Sequence, residues 1–331
     1  MPPDIDIVIV GAGMAGGMLA SSMAQQSLRV VLLDAAPVPE YPQADPALRV
    51  SALTETSENL LKRAGVWSLM PAARLQPYQR MEVRDGDGTG EVHFSALDAG
   101  ADHLGTLVEN DGVVAALYQR CLSLPQIQWR NGCRVSRIQR DGAAWQIVLH
   151  DGEVLRTRLL IGADGARSMV RSAVGLQAAP HDTGHVAIVA TLRTQQAHQG
   201  CARQAFLDSG PVALLPLYGD GHCSSLVWSL WPERAQQLMQ LSAPEFSTQL
   251  TRATQSWLGD IALASERLVF PIHDLHAGDY VAEGVALIGD AAHVVHPLAG
   301  QGINLGLLDA AVLAEEICRA LDADRDWCSL P

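Results

Sequence analysis

The chain has 331 residues, enough to bury a large core as one big or two intimately joined domains, and that length excludes a small disulfide scaffold. Its 23 Lys+Arg against 36 Asp+Glu leave a net charge of −13 at pH 7, a sign that opposes unassisted binding to nucleic acid or anionic lipid, because both demand a basic surface. The six cysteines, Cys121, Cys133, Cys201, Cys223, Cys318 and Cys328, form no Cys-x-x-Cys pair, so they read as reduced thiols rather than as a zinc site or a disulfide framework.

An apolar strand begins by Ile5, leaving no room for the basic region of a secretory signal, and no apolar run approaches ~20 residues. The expected location is cytoplasmic, with at most a peripheral contact at the inner membrane. Ile5 to Val10 is a nearly continuous β-branched run suited to a strand buried on both faces. Gly11-Ala-Gly13-Met14-Ala-Gly16 follows, Met18 to Gln25 continues as a helix, and Leu28 to Leu33 is a second strand ending in Asp34. This is a βαβ unit of the dinucleotide-binding type. The glycines permit a tight turn and close backbone approach, the helix N-terminus faces a pyrophosphate, and Asp34 accepts from ribose hydroxyls. The motif does not distinguish NAD from FAD.

Arg49 to Trp67 reads as a loop and then an amphipathic helix closed by Gly65. Arg49 is placed to meet flavin or pyrophosphate, or to be a solvated surface arginine. Trp145 to Leu149 and Val154 to Arg158 flank Asp151-Gly152, a strong hairpin signal, and Arg158 to Gly162 gives another strand ending at Asp164-Gly165. An acid there sits at the carboxyl edge of the sheet, where such sheets bind ligands. Between His185 and Leu230 come strand-like runs at Val186 to Arg193, Val212 to Leu217 and Ser224 to Trp231 without helices between them, which predicts an inserted antiparallel sheet. A helix is expected over Pro244 to Leu258, after which Arg267 to Pro271 and Val285 to Ile288 return to the first domain.

The last informative stretch is Gly289 to Gly306. An apolar strand meets Gly289-Asp290, a Pro and a Gly-Gln-Gly follow, and an Ala/Leu-rich helix starts at about Ile303. His293 and His296 lie i, i+3 here, but Pro297 breaks the helix and no carboxylate-plus-His set converges, so no metal is expected. His273 and His276 are a weaker pair. No Gly-x-Ser-x-Gly elbow, Walker loop or Cys-His nucleophile pattern is present. Asp322 to Pro331 follow the helix with no further packing element, which reads as a chain cut short at its C-terminus.

Gly11-x-Gly13-x-x-Gly16, Asp164-Gly165 and Gly289-Asp290, in this order and spacing, resemble the three fingerprints of group A flavoprotein monooxygenases of the p-hydroxybenzoate hydroxylase type. Gly13-Met14, Arg49-Val-Ser-Ala, Gly65-Val-Trp67, Leu107-Val-Glu-Asn110, Leu214-Leu-Pro-Leu217 and His296-Pro-Leu-Ala-Gly-Gln-Gly302 look like the ubiquinone-biosynthesis hydroxylases. Val189 to Thr194, Ala202 to Phe206 and Val227 to Leu230 look most like the branch acting on 2-polyprenylphenol.

The resemblance implies an α/β fold: a discontinuous Rossmann-like FAD-binding domain of residues 1–75, 95–178 and 266–331, and an antiparallel-sheet substrate domain of residues 76–94 and 179–265. It implies FAD held through Gly11, Gly13, Met14, Gly16, Asp34, Arg49, Asn110, Val135 and Asp164. The opening loop and helix add Gly289, Asp290, Pro297, Gly300, Gly302, Ile303 and Asn304. Asp34 stands where a Glu is more usual, one methylene longer, and Val114 stands where the family often carries a polar residue. Asp290 suits a ribityl hydroxyl better than the pyrophosphate, since like charges ~4 Å apart repel by several kcal/mol. The N–H groups of Gly302, Ile303 and Asn304 suit negative charge on the reduced flavin's N1/O2 edge.

The activity implied is hydroxylation: NAD(P)H reduces FAD, O₂ adds at C(4a), and the hydroperoxide delivers one oxygen atom to an apolar phenol of ubiquinone biosynthesis. The partners implied are that phenol and O₂, no nucleic acid, a ubiquinone-biosynthesis assembly, and a further copy of the chain. The catalytic residue is unassigned. His293 and His296 are candidates, with a structural loop histidine the favoured reading of both. Leu214, Leu215, Leu217, Leu226 and Trp228 are candidates to line an apolar tunnel, though core is the favoured role. Two other readings stay open: hydroxylation of a small soluble aromatic, and an inactive FAD-binding scaffold.

Overall fold

The structure is a computed structural model that describes residues 5–42, 46–86, 88–295 and 301–328, with residue 301 described through its backbone alone. β1 (Ile5–Val10) is the expected apolar strand, and its last four residues are buried between two parallel neighbours. α1 (Met14–Ser22) leaves the glycine loop and β2 (Val30–Leu33) pairs in parallel with β1, Ile7 opposite Val30. β3 (Val50–Leu53) leads into α2 (Glu55–Arg63), whose N-cap Thr54 accepts from the Ser57 N–H and whose exit is Gly65 at φ +73°.

The chain continues through β4 (Gln76–Tyr78), the antiparallel pair β5 (Arg80–Asp85) and β6 (Glu91–Ser95), β7 (Gly105–Glu109) and α3 (Asn110–Leu122). β8 (Ile127–Arg130) then extends the first sheet beyond β2. β9 (Val135–Asp141), β10 (Ala144–Leu149) and β11 (Val154–Gly162) form a meander, with the expected hairpin between the last two. β11 runs unbroken for nine residues into its place beside β1, so the two strands read on either side of Arg158 are one.

α4 (Met169–Ala173) precedes the long β12 (Ala178–Thr194), followed by β13 (Cys201–Leu207), β14 (Gly210–Pro216) and β15 (Cys223–Leu230). α5 (Pro232–Gln240) was not expected, and α6 (Ala243–Ala253) is the helix expected over Pro244 to Leu258, ending earlier. After β16 (Ile261–Leu263) come β17 (Leu268–Ala277), β18 (Val281–Ala282), β19 (Val285–Leu287), β20 (His293–Val294) and α7 (Gln301–Asp322), which starts two residues before Ile303.

Three sheets result. The first, ordered β18-β19-β11-β1-β2-β8, has a parallel centre and carries the β9–β10 meander on β11. Its faces are covered on one side by α1, α3 and α7 through Leu19, Leu117, Leu307 and Ile317, and on the other by Ile147, Leu149 and Val170. The second is ordered β20-β17-β12-β15-β14-β13-β5-β6, and the third is β3-β7-β4. Two expectations about the second sheet are corrected. It is mixed, because β5 joins β13 in parallel, Arg80 opposite Cys201. β17 pairs along β12 from Leu268 to Ala277, so the chain returns to the first sheet at β18 and β19 and not at Arg267 to Pro271. The outer face of this sheet packs Leu192, Leu214, Leu226 and Trp228 against Leu238 of α5 and Phe246 and Leu250 of α6.

Candidate active site

The three fingerprints converge as predicted from their order. Gly11 sits at φ +100°, and a Cβ there would lie 2.2 Å from the Ala163 carbonyl oxygen; at Gly16 it would lie 2.0 Å from the Gly11 carbonyl oxygen. These two glycines pack α1, the β1 loop and the end of β11 at backbone contact. Gly13 differs: nothing lies within 4 Å of its Cβ position, and it faces a cavity of about 710 Å³. It is also the N-cap of α1 with no side-chain hydrogen bond to the first turn, so those amides are left for an anionic ligand.

Beside it Gly289, at φ +57°, approaches Ala15 of α1 and Gly306 of α7; a Cβ there would lie 3.0 Å from the Ala15 Cβ. Asp290 follows, open toward the cavity yet enclosed by protein otherwise. That burial raises its carboxyl above the ordinary carboxylate range, against the lowering effects of His293 and Arg49. Gly302 and Ile303, in the first turn of α7, line the same cavity. Arg49, Asn110, Gly13 and Met14 line it too, with the Asn110 Oδ1 accepting from the Ser51 hydroxyl at 2.7 Å.

Several predicted residues act on the frame rather than on the cavity. Asp34 accepts from the Ala12 and Ala36 N–H groups, each at 2.7 Å. Asp164 caps α4, accepting from the Ser168 hydroxyl and the Met169 and Val170 N–H groups, while its neighbours Ala163 and Gly165 line the cavity. The Asn304 side chain ties α7 to the β3–α2 junction: its Oδ1 accepts from the Ser57 hydroxyl at 2.6 Å and the Thr54 N–H at 3.0 Å, and its Nδ2 donates to the Ala52 carbonyl. Val135 is in the same buried cluster as Val31 and Leu33, outside the cavity lining. Val114 is half-buried against the α1–α3 core. His296, Pro297 and Gly300 lie outside the described residues.

His293 is not among the residues that line the cavity. It is buried in β20 and its Nε2 meets the Asp309 Oδ2 at 2.6 Å, the same oxygen that accepts from the Gly289 N–H at 2.9 Å. That hydrogen bond raises the imidazole's pKa against the opposing effect of burial. Asp309 thus fixes the fingerprint loop from inside α7. The reading of the sequence passed over it, although an acid in an otherwise Leu/Ala-rich helix was a usable signal. Arg171 was also missed: buried in α4, it donates to the Ala291 carbonyl at 2.8 Å and the Ala166 carbonyl at 2.7 Å, joining the second fingerprint to the third. Among the described residues no three metal-ligating side chains converge, and no helix is long and apolar enough to cross a membrane.

Asp290 and His293 both carry raised native pKa values, so the folded site binds their protons more tightly than the unfolded chain does. Each contribution to stability is complete below the unfolded value, near 3.8 for Asp290 and 6.5 for His293, and is lost as pH rises through the native value. The melting temperature is therefore expected to decline above pH 6.5 on a limb that His293→Gln flattens. Melting curves from pH 5 to 9 test this, and an unflattened limb in the variant removes His293 as its source.

The far wall of the cavity is the inner face of the second sheet, from Ala187 and Val189 of β12 through Val227 of β15, Ala213 and Leu215 of β14 and Ala202 of β13 to Met81 of β5. Of the five candidate tunnel residues only Leu215 belongs to it. Leu214, Leu226 and Trp228 point into the outer-face core, as strand alternation requires, and Leu217, beyond the end of β14, is buried outside the lining. Open glycine backbone, uncapped amides at α1, the N-terminal turn of α7 and an apolar wall together fit a flavin dinucleotide with its ring against an apolar substrate space.

The FAD binding domain model matches residues 4–327. The chain is 35% identical over 327 residues to the 3-demethoxyubiquinol 3-hydroxylase of Escherichia coli, covering 98% of this chain and 83% of that protein. It is 36% identical over 319 residues to the ubiquinone hydroxylase UbiL of Rhodospirillum rubrum, covering 95% and 72%. Among solved structures it resembles Pseudomonas aeruginosa PqsL in complex with 2-aminobenzoylacetate, at 25% identity and a TM-score of 0.83 over 98% of this chain and 88% of that one. The p-nitrophenol 4-monooxygenase PnpA of Pseudomonas putida, at 21% identity and a TM-score of 0.76 over 97% and 80%, shares the fold. With the fingerprints joined around one cavity and the family model spanning nearly every residue, the chain belongs to the FAD-binding domain family, as an FAD-dependent monooxygenase related to the ubiquinone-biosynthesis hydroxylases.

Proposed function

We propose that the protein hydroxylates the aromatic ring of a polyprenylated phenol in ubiquinone biosynthesis, using NAD(P)H and O₂. The observation that carries this reading is the cavity itself, which runs from the fingerprint loops to an apolar sheet face. The oxygen-activating redox chemistry is supplied by FAD when bound, with NAD(P)H as electron donor. The α1 amides behind Gly13 would hold the pyrophosphate, Asp290 would accept from a ribityl hydroxyl, and Asp34, which accepts from the Ala12 and Ala36 N–H groups, would use its remaining lone pairs for the ribose. The N–H groups of Gly302, Ile303 and Asn304 would stabilise negative charge on the bound flavin. The sheet face would exclude water and hold the phenol ring. Names of relatives support the substrate class: the Escherichia coli protein is a 3-demethoxyubiquinol 3-hydroxylase.

NADH or NADPH oxidation is expected to accelerate when a polyprenylphenol is added to the FAD-loaded protein, and mass spectrometry with ¹⁸O₂ is expected to show one labelled oxygen in the product. Acceleration by small soluble phenols alone would make it a hydroxylase of soluble aromatics. Yellow protein that NAD(P)H never bleaches would make it a scaffold.

A further inference from the structure

Side chains directly opposite each other on paired strands share a face of the sheet, so the registers trace what continues the cavity wall outward. One row runs Val227, Ala213, Gln204, Val83, Val92 across β15, β14, β13, β5 and β6. A second runs Ala202, Met81, Phe94 across β13, β5 and β6. Both begin at residues that line the cavity and end at the sheet's edge strand.

The β5–β6 pair is amphipathic in an unexpected sense. Its polar residues, Glu82, Arg84, Glu91 and His93, alternate onto the other face, where Arg84 pairs with Glu91 at 2.9 Å and stacks over Trp257. Its apolar residues occupy the cavity face, where Val92 is 54% and Phe94 50% exposed. An apolar strip thus leads out of the cavity and over the edge of the sheet, roughly 19 Å from β15 to β6 at the usual strand spacing.

The inner end of the strip is polar. Gln204, Ser225 and Ser229 surround Val227 and Ala213 on the wall, all three are buried, and none of their side chains has a protein hydrogen-bond partner among the described residues. Their polar atoms open onto the cavity, where they are free to hydrogen-bond a ligand. The nearby Arg203 guanidinium is neutralised by Glu82 at 3.1 Å and donates to the His198 carbonyl, so this part of the wall suits neutral oxygen substituents better than a carboxylate.

We propose that the substrate lies along these rows, with its oxygenated ring on Gln204, Ser225 and Ser229 and its apolar tail leaving the cavity over Met81, Phe94, Val83 and Val92. This rests on the function proposed above. The strip is continuous with the cavity and its four residues Met81, Val83, Val92 and Phe94 are uncharged, with Asp85 at the end of β5 the acid that alternation adds to that face, so it suits a chain of the substrate's own chemistry.

The test compares two phenols with the same ring, one bearing a single isoprenoid unit and one bearing several, by kcat/KM for phenol-stimulated NAD(P)H oxidation. In a V92D/F94D protein the long-to-short ratio is expected to fall about tenfold or more, since each buried methylene contributes appreciably to binding. V154D, equally exposed but on the first sheet, is expected to keep the ratio, and bound flavin read from the visible spectrum checks folding in each variant. Q204L is expected to lower kcat/KM for both phenols alike. A V92D/F94D ratio equal to that of the parent overturns the tail path, and the same result with weakened binding to anionic vesicles assigns the strip to a bilayer surface instead. If neither phenol stimulates the parent protein, it is the proposed function that fails.

Discussion

A Gly16→Ala protein is expected to purify without flavin colour and to lose about 3 kcal/mol of stability or more, at or above the upper end of what overpacking usually costs. The added methyl would sit 2.0 Å from the Gly11 carbonyl oxygen and 3.2 Å from its carbon. Those are backbone atoms, and Gly11 cannot yield: its own Cβ position is 2.2 Å from Ala163 and its φ is +100°. The only relief is for α1 to move away from the β1 loop, which takes the N-terminal amides out of line with the pyrophosphate. Gly13→Ala is the informative companion, because the space at its Cβ is open. That protein is expected to fold with a near-parental melt and to bind FAD more weakly, the methyl intruding on the cavity. Flavin absorbance per polypeptide and thermal melts separate the two cases; a yellow Gly16→Ala protein with the parental melt refutes the packing account.

Glu109→Gln is expected to cost roughly 3–5 kcal/mol, the usual penalty for breaking one side of a buried ion pair. The Glu109 carboxylate accepts from the Arg74 Nε at 2.7 Å and Nη2 at 2.8 Å, from the Ala47 N–H at 2.7 Å and from the Tyr218 hydroxyl at 3.3 Å. Arg74 also stacks over the Tyr218 ring, and burial followed by the nearby carboxylate pushes that phenol up to about 12. One side chain therefore joins β7, the 72–74 turn, the backbone leading to Arg49, and the loop beyond β14. The amide keeps one acceptor but points a donor at a guanidinium. Urea unfolding measures the loss, and a change below about 1 kcal/mol would show that the pair is replaceable by water.

The nucleotide half was legible because its signals are local. Ile5 to Val10, the glycines and Asp34 lie within one βαβ unit, and Asp164-Gly165 and Gly289-Asp290 each end an apolar strand. The second sheet was legible only where its strands follow one another. The Cys201–Leu207 strand, rich in small and polar residues, pairs with Arg80–Asp85, far earlier in the chain, and nothing near either segment announces the other. The Leu268–Ala277 strand looked like the return to the first sheet because it is apolar and follows a helix, yet β12 is long enough to hold it. Asp309 and Arg171 carry no motif. Their roles exist only once α7 and α4 lie against the Gly289 loop. Leu214 and Leu215 separate by strand parity alone, one into core and one into cavity, which composition cannot decide.

The parallel joint between β5 and β13 has a consequence for how the chain is made. Arg80 and its partner Cys201 are 121 residues apart, so at about 5–20 residues per second the β5–β6 hairpin leaves the ribosome roughly 6–24 s before the strand it docks on. Throughout that interval both its open backbone edge and its apolar face, with Val92 and Phe94, are bare. Until residues 201–207 arrive, that face is an adhesive surface on the nascent chain.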